Sequence, residues 1–442
     1  MDKCINLGIF GLGNVGIGIV RLLSENQSLI DSRVGKPIRI QKAVVQNLSK
    51  DRGQDLSAIQ LSSDPGFILD DPGIDIVIEV IGGLDPAERI ILKALEKGKS
   101  VVTANKALLA ERGRDIFAAA HDAAGGFGFE SSVGTAIPII RTLREGFSGD
   151  EILSISGIIN GTSNYILTRM SQDGMEFKEA LQDAQDKGLA ETDPTLDIQG
   201  IDAAHKLIIM MNIAFGGAFD FTQLYTEGIS KISAADIRYT RALGYTIKHL
   251  GKARKTARGI EARVHPVLIF KDHILSSVNN AFNAISVYGR YIGPSVLYGL
   301  GAGPGPSAAG VLSDVIEVCR KRLTLCQSPL SPFCLPLKDW RPMEMVPMEE
   351  MRSEYYLRFH VLDRVGVLAE ISRVLAENRI SVRSVIQKED PACDNQNVDV
   401  VLITHEALEA DIQNAMDRIR QQEFIAGEAQ LIRIDNMDNN EE

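Results

Sequence analysis

Carboxylates and a lysine crowd into one stretch, Gly188 to Lys206, which reads GLAETDPTLDIQGIDAAHK. Glu191, Asp193 and Asp197 come first, in a segment that Pro194 and Gly200 keep from being one regular helix. From Ile201 onward the pattern reads as a helix start. Four residues separate Asp202 from Lys206, a spacing that puts both side chains on one helix face, acid N-terminal to base, within hydrogen-bonding reach. Their neighbours Ala203, Ala204, Leu207, Ile208 and Met211 are apolar, so the pair is expected where the helix meets the core. Desolvation there disfavours the ammonium form and a nearby carboxylate opposes that, a combination suited to proton transfer. An ordinary i,i+4 salt bridge has the same spacing, so the rest of the chain must weigh the two readings.

The elements that would position this chemistry begin at the N-terminus. Ile5 to Phe10 is a short apolar strand, followed at once by Gly11-Leu12-Gly13-Asn14-Val15-Gly16 and a helical pattern through Leu23. A G-x-G-x-x-G between a strand and a helix lets the backbone turn tightly and bring helix N-terminal amides against a pyrophosphate. The second strand, Ile38 to Val45, ends at Gln46 and Asn47 with no acid for a ribose 2′-hydroxyl, while Lys50 and Arg52 come shortly after. That favours NADP over NAD, because the two cations can meet a 2′-phosphate. Strands at Ile74 to Val80 and Ser100 to Thr103, alternating with helical stretches at Ala87 to Lys97 and Leu108 to Ala120, continue a parallel doubly wound sheet. Lys106 comes just after the strand containing Thr103, at the end of the sheet that faces the ligand crevice in such folds. Phe127 to Val133 reads as a further strand.

After about residue 150 the pattern changes. Ile152 to Ile159 is a strand, Ser163 to Met170 and Phe177 to Gln185 are helical, and Glu261 to Phe270 and Val278 to Tyr288 look like antiparallel strands of an open sheet. Leu300 to Pro306 is a glycine-rich turn before the helical stretch Ala308 to Arg320, which is expected to return to the nucleotide domain and bring Gly303 beside the cofactor. Arg322 to Glu350 carries five prolines and reads as an extended linker, one that should let the catalytic part fold without the C-terminal residues. Beyond it, strand, helix, strand, strand, helix and strand give the ferredoxin-like order βαββαβ, and the polar tail Asn436 to Glu442 is expected to be disordered.

Composition narrows the function classes. The 442 residues suggest two to three domains, and the net charge of −11 argues against nucleic acid or an anionic membrane as partner. Cys4, Cys319, Cys326, Cys334 and Cys393 include no CxxC and no zinc spacing, which fits free thiols in a reducing compartment. The most apolar run, Leu207 to Phe219, is too short for a bilayer and contains Asn212. No separate signal-peptide core precedes the first strand, so a cytoplasmic enzyme is expected.

Ser156 to Leu167, reading SGIINGTSNYIL, and Ala184 to Lys206 look like the signature of one family. The chain resembles homoserine dehydrogenase with a C-terminal ACT domain over essentially its whole length. The resemblance implies a Rossmann-type nucleotide domain at 1–150 completed by the helix 304–322, an α+β substrate and dimerisation domain with an open sheet at 151–303, a linker at 323–352 and a ferredoxin-like ACT domain at 353–436. It implies NAD(P)-dependent interconversion of L-homoserine and L-aspartate 4-semialdehyde, in the pathway to threonine, methionine and isoleucine. In it Lys206 would be proton donor and acceptor, Asp202 its partner, Lys106 a second lysine near substrate and cofactor, and Glu191 a substrate ligand with Asp197 a weaker candidate. Asn14, Val15, Thr103, Gly188 and Gly303 match cofactor-contacting positions beside the glycines Gly11, Gly13 and Gly16. A monovalent cation, usually sodium, would be held by backbone oxygens of Glu130, Val133, Thr135 and Ile137. The turn Asp363-Arg364-Val365-Gly366-Val367 would receive an effector carboxylate, with L-threonine the implied effector and a homo-oligomer, dimer or tetramer, the implied state.

The family often has Arg where Gln46 and Asn47 stand, and Pro-Thr where this chain has Pro306-Ser307. Two rival readings are weighed against it. A non-catalytic amino-acid-binding regulator predicts damaged glycine motifs or a missing Asp202–Lys206 pair, and neither is seen. Another ACT-linked dehydrogenase, for phosphoglycerate or prephenate, needs a catalytic histidine and cations where this chain puts carboxylates.

Overall fold

The computed structural model describes residues 4–123, 126–324, 332, 339–388 and 397–436. They form two compact units, 1–152 with 204–222 and 283–343, and 153–203 with 223–282 and 344–442. The expected disordered tail lies, from residue 437, outside the described residues, as do Cys326, Cys334 and Cys393. Among the described residues no helix is long and apolar enough to cross a membrane.

The first unit is built on a six-stranded sheet in the order Gln60–Ser62, Ile38–Val44, Ile5–Phe10, Ile76–Glu79, Ser100–Thr103, Phe127–Gly128. Every pairing is parallel, so the strand order is the doubly wound 3-2-1-4-5-6, whose switch point lies beside the first strand. Buried Leu7, Ile9, Ile38, Ile40, Ile76 and Ile78 pack against the helix Asn14–Glu25. The helix Pro304–Leu323 joins that same core through Ala308, Val311, Leu312, Val315 and Val318, as expected for an element that completes this sheet late in the chain. Gly18 makes the approach possible: a Cβ there would lie 2.8 Å from the Pro304 carbonyl oxygen.

The strand expected over Phe127 to Val133 stops at Gly128. The Glu130 amide donates to the buried Asp314 carboxylate at 2.8 Å, and the Glu130 carboxylate in turn accepts from the amides of Ile140 and Arg141, both at 2.8 Å. Side chains thus take the backbone groups a strand would have paired, and a 3₁₀ turn, Glu130–Ser132, replaces it.

In the second unit Tyr245–Thr256 and Gly259–Phe270 form a long antiparallel hairpin, with Ile152–Ile158 paired along the outer side of Tyr245–Thr256. The sequence pattern marks the second arm and leaves the first unassigned, because its Lys248 and His249 read as a polar surface. Both are buried. The Lys248 ammonium is held by the Val278 carbonyl and the Asn279 side chain, and burial lowers its pKa to about 8.

The ferredoxin-like module appears in the expected order: Arg352–Leu362, Val367–Glu377, Val382–Lys388, Asn397–Thr404, Glu409–Arg420 and Ile425–Ile434. Its independence does not. The strand Ile425–Ile434 pairs in parallel with Gly259–Phe270, Val267 opposite Arg433, so the module continues the substrate-domain sheet. Tyr355, Leu357, Phe359 and Val361 face the module's own helices, while Tyr356, Ile403, Ile432 and Ile434 enter a core with Ile166, Leu167, Met170 and Ala184. Two buried arginines fasten the seam. Arg433, 1% exposed, meets Glu409 and Glu227, and Arg358 meets Asp236 at 2.7 Å. Part of the expected linker is likewise packed: Arg341–Pro342 pairs with Gly217–Ala218, and Val346, Met348 and Met351 bury against Tyr225.

A chain cut near Arg352 would therefore bare a strand edge and leave Asp236 and Glu227 without their arginines. The less drastic change Arg358→Ala should lower stability by about 3 kcal/mol, because it leaves a buried carboxylate unpaired. Urea unfolding checks this: a midpoint unchanged from the parent would mean that the seam does not depend on the pair.

Candidate active site

In the first unit the strand Ile5–Phe10 opens into Gly11, whose φ of 97° and whose would-be Cβ, 2.9 Å from the Val80 carbonyl oxygen, admit only glycine. Gly16 is as constrained, since a Cβ there would sit 2.1 Å from the Gly11 oxygen. Gly13 differs. Nothing lies within 4 Å of its would-be Cβ, it is exposed, and it precedes a helix with no side-chain cap and no acid in its first turn. The amides of Asn14, Val15 and Gly16 open that helix, so this is a cradle of fitting polarity for a pyrophosphate. Gly303, φ 122°, precedes a second uncapped helix, Pro304–Leu323, whose start packs on the first at Gly18.

At the strand ends the Thr103 hydroxyl donates to the Glu79 carboxylate at 2.6 Å and accepts from the Asn105 amide at 3.0 Å. Thr103 is fully buried, with its hydroxyl held by these protein partners. Burial raises the pKa of Glu79, which also accepts from the Ile81 amide at 2.9 Å. Asn105 caps the next helix by accepting from the Leu108 amide, and Lys106, half-buried, is that helix's first residue. After the second strand Lys50 is exposed, whereas Arg52 turns back to donate to the carbonyls of Asn47 at 2.6 Å and Lys50 at 2.8 Å. The Arg52 Nε remains without a partner.

Asp202 and Lys206, the pair expected to transfer a proton, lie on the helix Ile201–Ala214. Asp202 is 5% and Lys206 6% exposed, so both charges are buried, one turn apart on one face. His205 on the same helix bonds Glu111 at 3.0 Å and stacks on Phe221, which takes it away from that face.

Around Asp202 the second unit is folded irregularly. Gly200 has φ 84°, and a Cβ there would meet the His249 ring at 3.0 Å. Asp197 sits on the short helix Thr195–Ile198, half-buried, whereas Glu191 and Gly188 are exposed on the segment before it. Asn160 bridges the two inner carboxylates, donating to Asp197 at 2.7 Å and to Asp202 at 2.9 Å. His249, opposite Gly200, donates from Nε2 to the Glu227 carbonyl at 2.9 Å, and burial lowers its pKa. Sequence reasoning assigns no role to Asn160, His249 or Glu79. Asn160 carries one signal, its place just before a helix, which marks a cap but not a carboxylate ligand.

The segment expected to hold a cation is buried and irregular. Glu130 opens the 3₁₀ turn and Val133 follows it, Thr135 has φ 60°, and its hydroxyl donates to the Gly301 carbonyl at 2.8 Å. Among the described residues no cluster of three or more His, Cys, Asp or Glu is suited to a metal. In the C-terminal module Asp363 and Gly366 are exposed, Val367 is buried, and Gly366 at φ 94° precedes the uncapped helix Val367–Glu377.

Comparison with known proteins agrees with this anatomy. The family profile described as homoserine dehydrogenase matches residues 138–316, that of the homoserine dehydrogenase NAD-binding domain matches 11–130, and that of the ACT domain matches 355–424. A homoserine dehydrogenase of Pseudomonas aeruginosa is 40% identical over 98% of this chain and 100% of its own length, and one of Helicobacter pylori is 41% identical over 99% and 100%. The crystal structure of a homoserine dehydrogenase from Thiobacillus denitrificans superposes with a TM-score of 0.91 at 43% identity, covering 98% of each chain. A hyperthermophilic archaeal homoserine dehydrogenase in complex with NADPH superposes with a TM-score of 0.61 at 26% identity, over 72% of this chain and 98% of its own. With an NAD(P)-binding domain, a substrate domain and an ACT domain in that order, the chain belongs to the homoserine dehydrogenase family of oxidoreductases.

Proposed function

We propose that this enzyme reduces L-aspartate 4-semialdehyde to L-homoserine with NADPH favoured over NADH, and that Lys206 moves the proton. The observation that carries this reading is the buried Asp202–Lys206 pair on one face of the helix Ile201–Ala214. The bound dinucleotide supplies the hydride, which forms the new C–H bond while the carbonyl π pair passes to oxygen. Lys206 then protonates that oxygen and recovers its proton from solvent, and Lys106 adds positive charge that favours the developing alkoxide. Asp202 keeps Lys206 oriented and charged. Glu191 and Asp197 supply the negative charge that a substrate ammonium group requires.

Lys206→Ala should lower kcat by orders of magnitude and leave NADPH binding nearly intact, and Lys206→Arg should not rescue it, since an arginine does not give up its proton. Steady-state kinetics showing less than about a tenfold loss for Lys206→Ala would sink the assignment.

The cofactor preference is supported by Gln46 and Asn47, which stand at the end of the second strand in place of an acid, and by Arg52, braced by two carbonyls with Nε unspent beside the exposed Lys50. Replacing both cations with Ala should raise the KM for NADPH more than for NADH, because only NADPH carries the 2′-phosphate. Equal changes would show that the pair faces solvent alone.

A monovalent cation such as sodium would be held by the carbonyls of Glu130, Val133, Thr135 and Ile137, where it would brace the irregular turn after Gly128. The free thiols of Cys4 and Cys319 support a reducing, cytoplasmic setting.

We read the C-terminal module as the sensor of an amino-acid effector, L-threonine, in a homo-oligomer of two or four chains. Gly366 and the uncapped helix behind it offer backbone amides to a carboxylate, and Val382–Lys388, last in its sheet among the described residues, offers an edge to a second copy. Buried Arg433 links the module to Glu227, on the loop whose Ile229 amide bonds the Ile198 carbonyl next to Asp197. Calorimetry and activity assays on the intact chain should show threonine binding and inhibition, with a coupling of about 1–3 kcal/mol. Gly366→Val, strained at that φ, should abolish inhibition, and inhibition that survives it places the effector elsewhere.

A further inference from the structure

The first turn of the helix Gly161–Asp173 grips the carboxylate segment with three side chains. Thr162 Oγ1 donates to the Leu189 carbonyl at 2.8 Å, Ser163 Oγ donates to the Asp197 carbonyl at 2.9 Å, and Asn160 reaches between Asp197 and Asp202. The Asn160 amide has a determined orientation. Its Oδ1 accepts from the Ser163 amide at 2.7 Å, so the opposite edge of the group must be the NH₂, and both N–H bonds of that NH₂ end on carboxylates.

We propose that Asn160 is a positioning residue of the reaction: its carboxamide couples the helix start to Asp197 and Asp202 and holds Asp202 ionised and aimed along its helix toward Lys206. This rests on the reading of Asp202 as the partner of Lys206. Two carboxylates this close repel one another, which disfavours the charged form of each. Two N–H donors shared between them favour the charged form of both. Ionisable groups near Asp202 include Asp197 from the short helix, His249 from the strand Tyr245–Thr256 and Lys206 from its own helix. His249 is buried with its Nε2 proton committed to the Glu227 carbonyl, whereas Asn160 donates to Asp202 directly at 2.9 Å.

A purely structural cap predicts something different, and substitutions that keep the cap separate the two. Asn160→Ser retains an oxygen for the Ser163 amide but removes both donors, and Asn160→Asp retains the cap while adding a third acid. With Asn160→Ser the thermal midpoint should stay within a few degrees of the parent. The kcat/KM for the semialdehyde should fall about 10- to 100-fold, with the KM for NADPH little changed. Removing donors to a group that must be ionised raises its pKa, so the acid limb of the kcat/KM profile should move up by about one pH unit, and further for Asn160→Asp.

Asp202→Asn is measured alongside. If Asn160 acts through Asp202, adding Asn160→Ser to Asp202→Asn should cost little more than Asp202→Asn alone. Multiplying losses, or an acid limb that does not move in Asn160→Ser, would overturn the positioning role and leave the cap. An inactive Asp202→Asn beside a fully active Asn160→Ser would overturn this proposal alone. A fully active Asp202→Asn would overturn it together with the reading on which it rests.

Discussion

Burying a carboxylate and an ammonium group one turn apart in an apolar helix is costly unless each is met by polar partners, and much of the second unit answers that one requirement. Asp202 and Lys206 stand among Ala203, Ala204, Leu207 and Ile208, all buried. The segment before the helix is consequently bent to bring polar groups to its start. Gly200 turns at φ 84° against the His249 ring, Asp197 is carried on a single helical turn, and Asn160 arrives from another helix to close the arrangement. Even the neighbouring loop is shaped by it, since Gly228 lies where a Cβ would come within 2.1 Å of the Ile198 carbonyl oxygen. A charge pair that only decorated a surface would need none of this.

The nucleotide unit answers a different constraint, that of backbone approach. Gly11 and Gly16 lack side chains because protein atoms stand where a Cβ would go, while Gly13 lacks one although the space beside it is empty. The first two glycines serve the fold and the third leaves room for a ligand. Gly18, outside the motif, serves the fold again by letting the late helix Pro304–Leu323 dock, and so brings Gly303 to the same end of the sheet.

The C-terminal module is fused to the substrate domain rather than tethered. Its sheet is buried on both faces, by its own helices and by helices such as Gly161–Asp173. That helix is capped by Asn160, so a displacement of the module's sheet would be felt through packed side chains at the turn that holds the carboxylates. Arg433 and Arg358 sit buried in the seam with carboxylates as partners, an arrangement that specifies how the two sheets meet more than it adds to stability.

Much of this protein is legible without coordinates, because its strongest signals are local. Strand, glycine turn and helix at Ile5 to Leu23, the helix start at Ile201, the i,i+4 pair and the ferredoxin-like order can be read from spacing and periodicity within short windows. The features that sequence reading misses depend on partners far along the chain. Tyr245–Thr256 reads as polar because nothing nearby reveals that the Val278 carbonyl and Asn279 will meet Lys248. The strand after Phe127 stops short because Asp314, 184 positions from Glu130, takes the Glu130 amide. Composition marks 322–350 as a linker, but only the pairing of Ile425–Ile434 with Gly259–Phe270 decides that the module beyond it is not free. Local propensity and pattern chose the elements and the chemical groups; which buried charge finds which partner was decided by tertiary packing, where a polar group removed from water must be satisfied by whatever the fold brings to it.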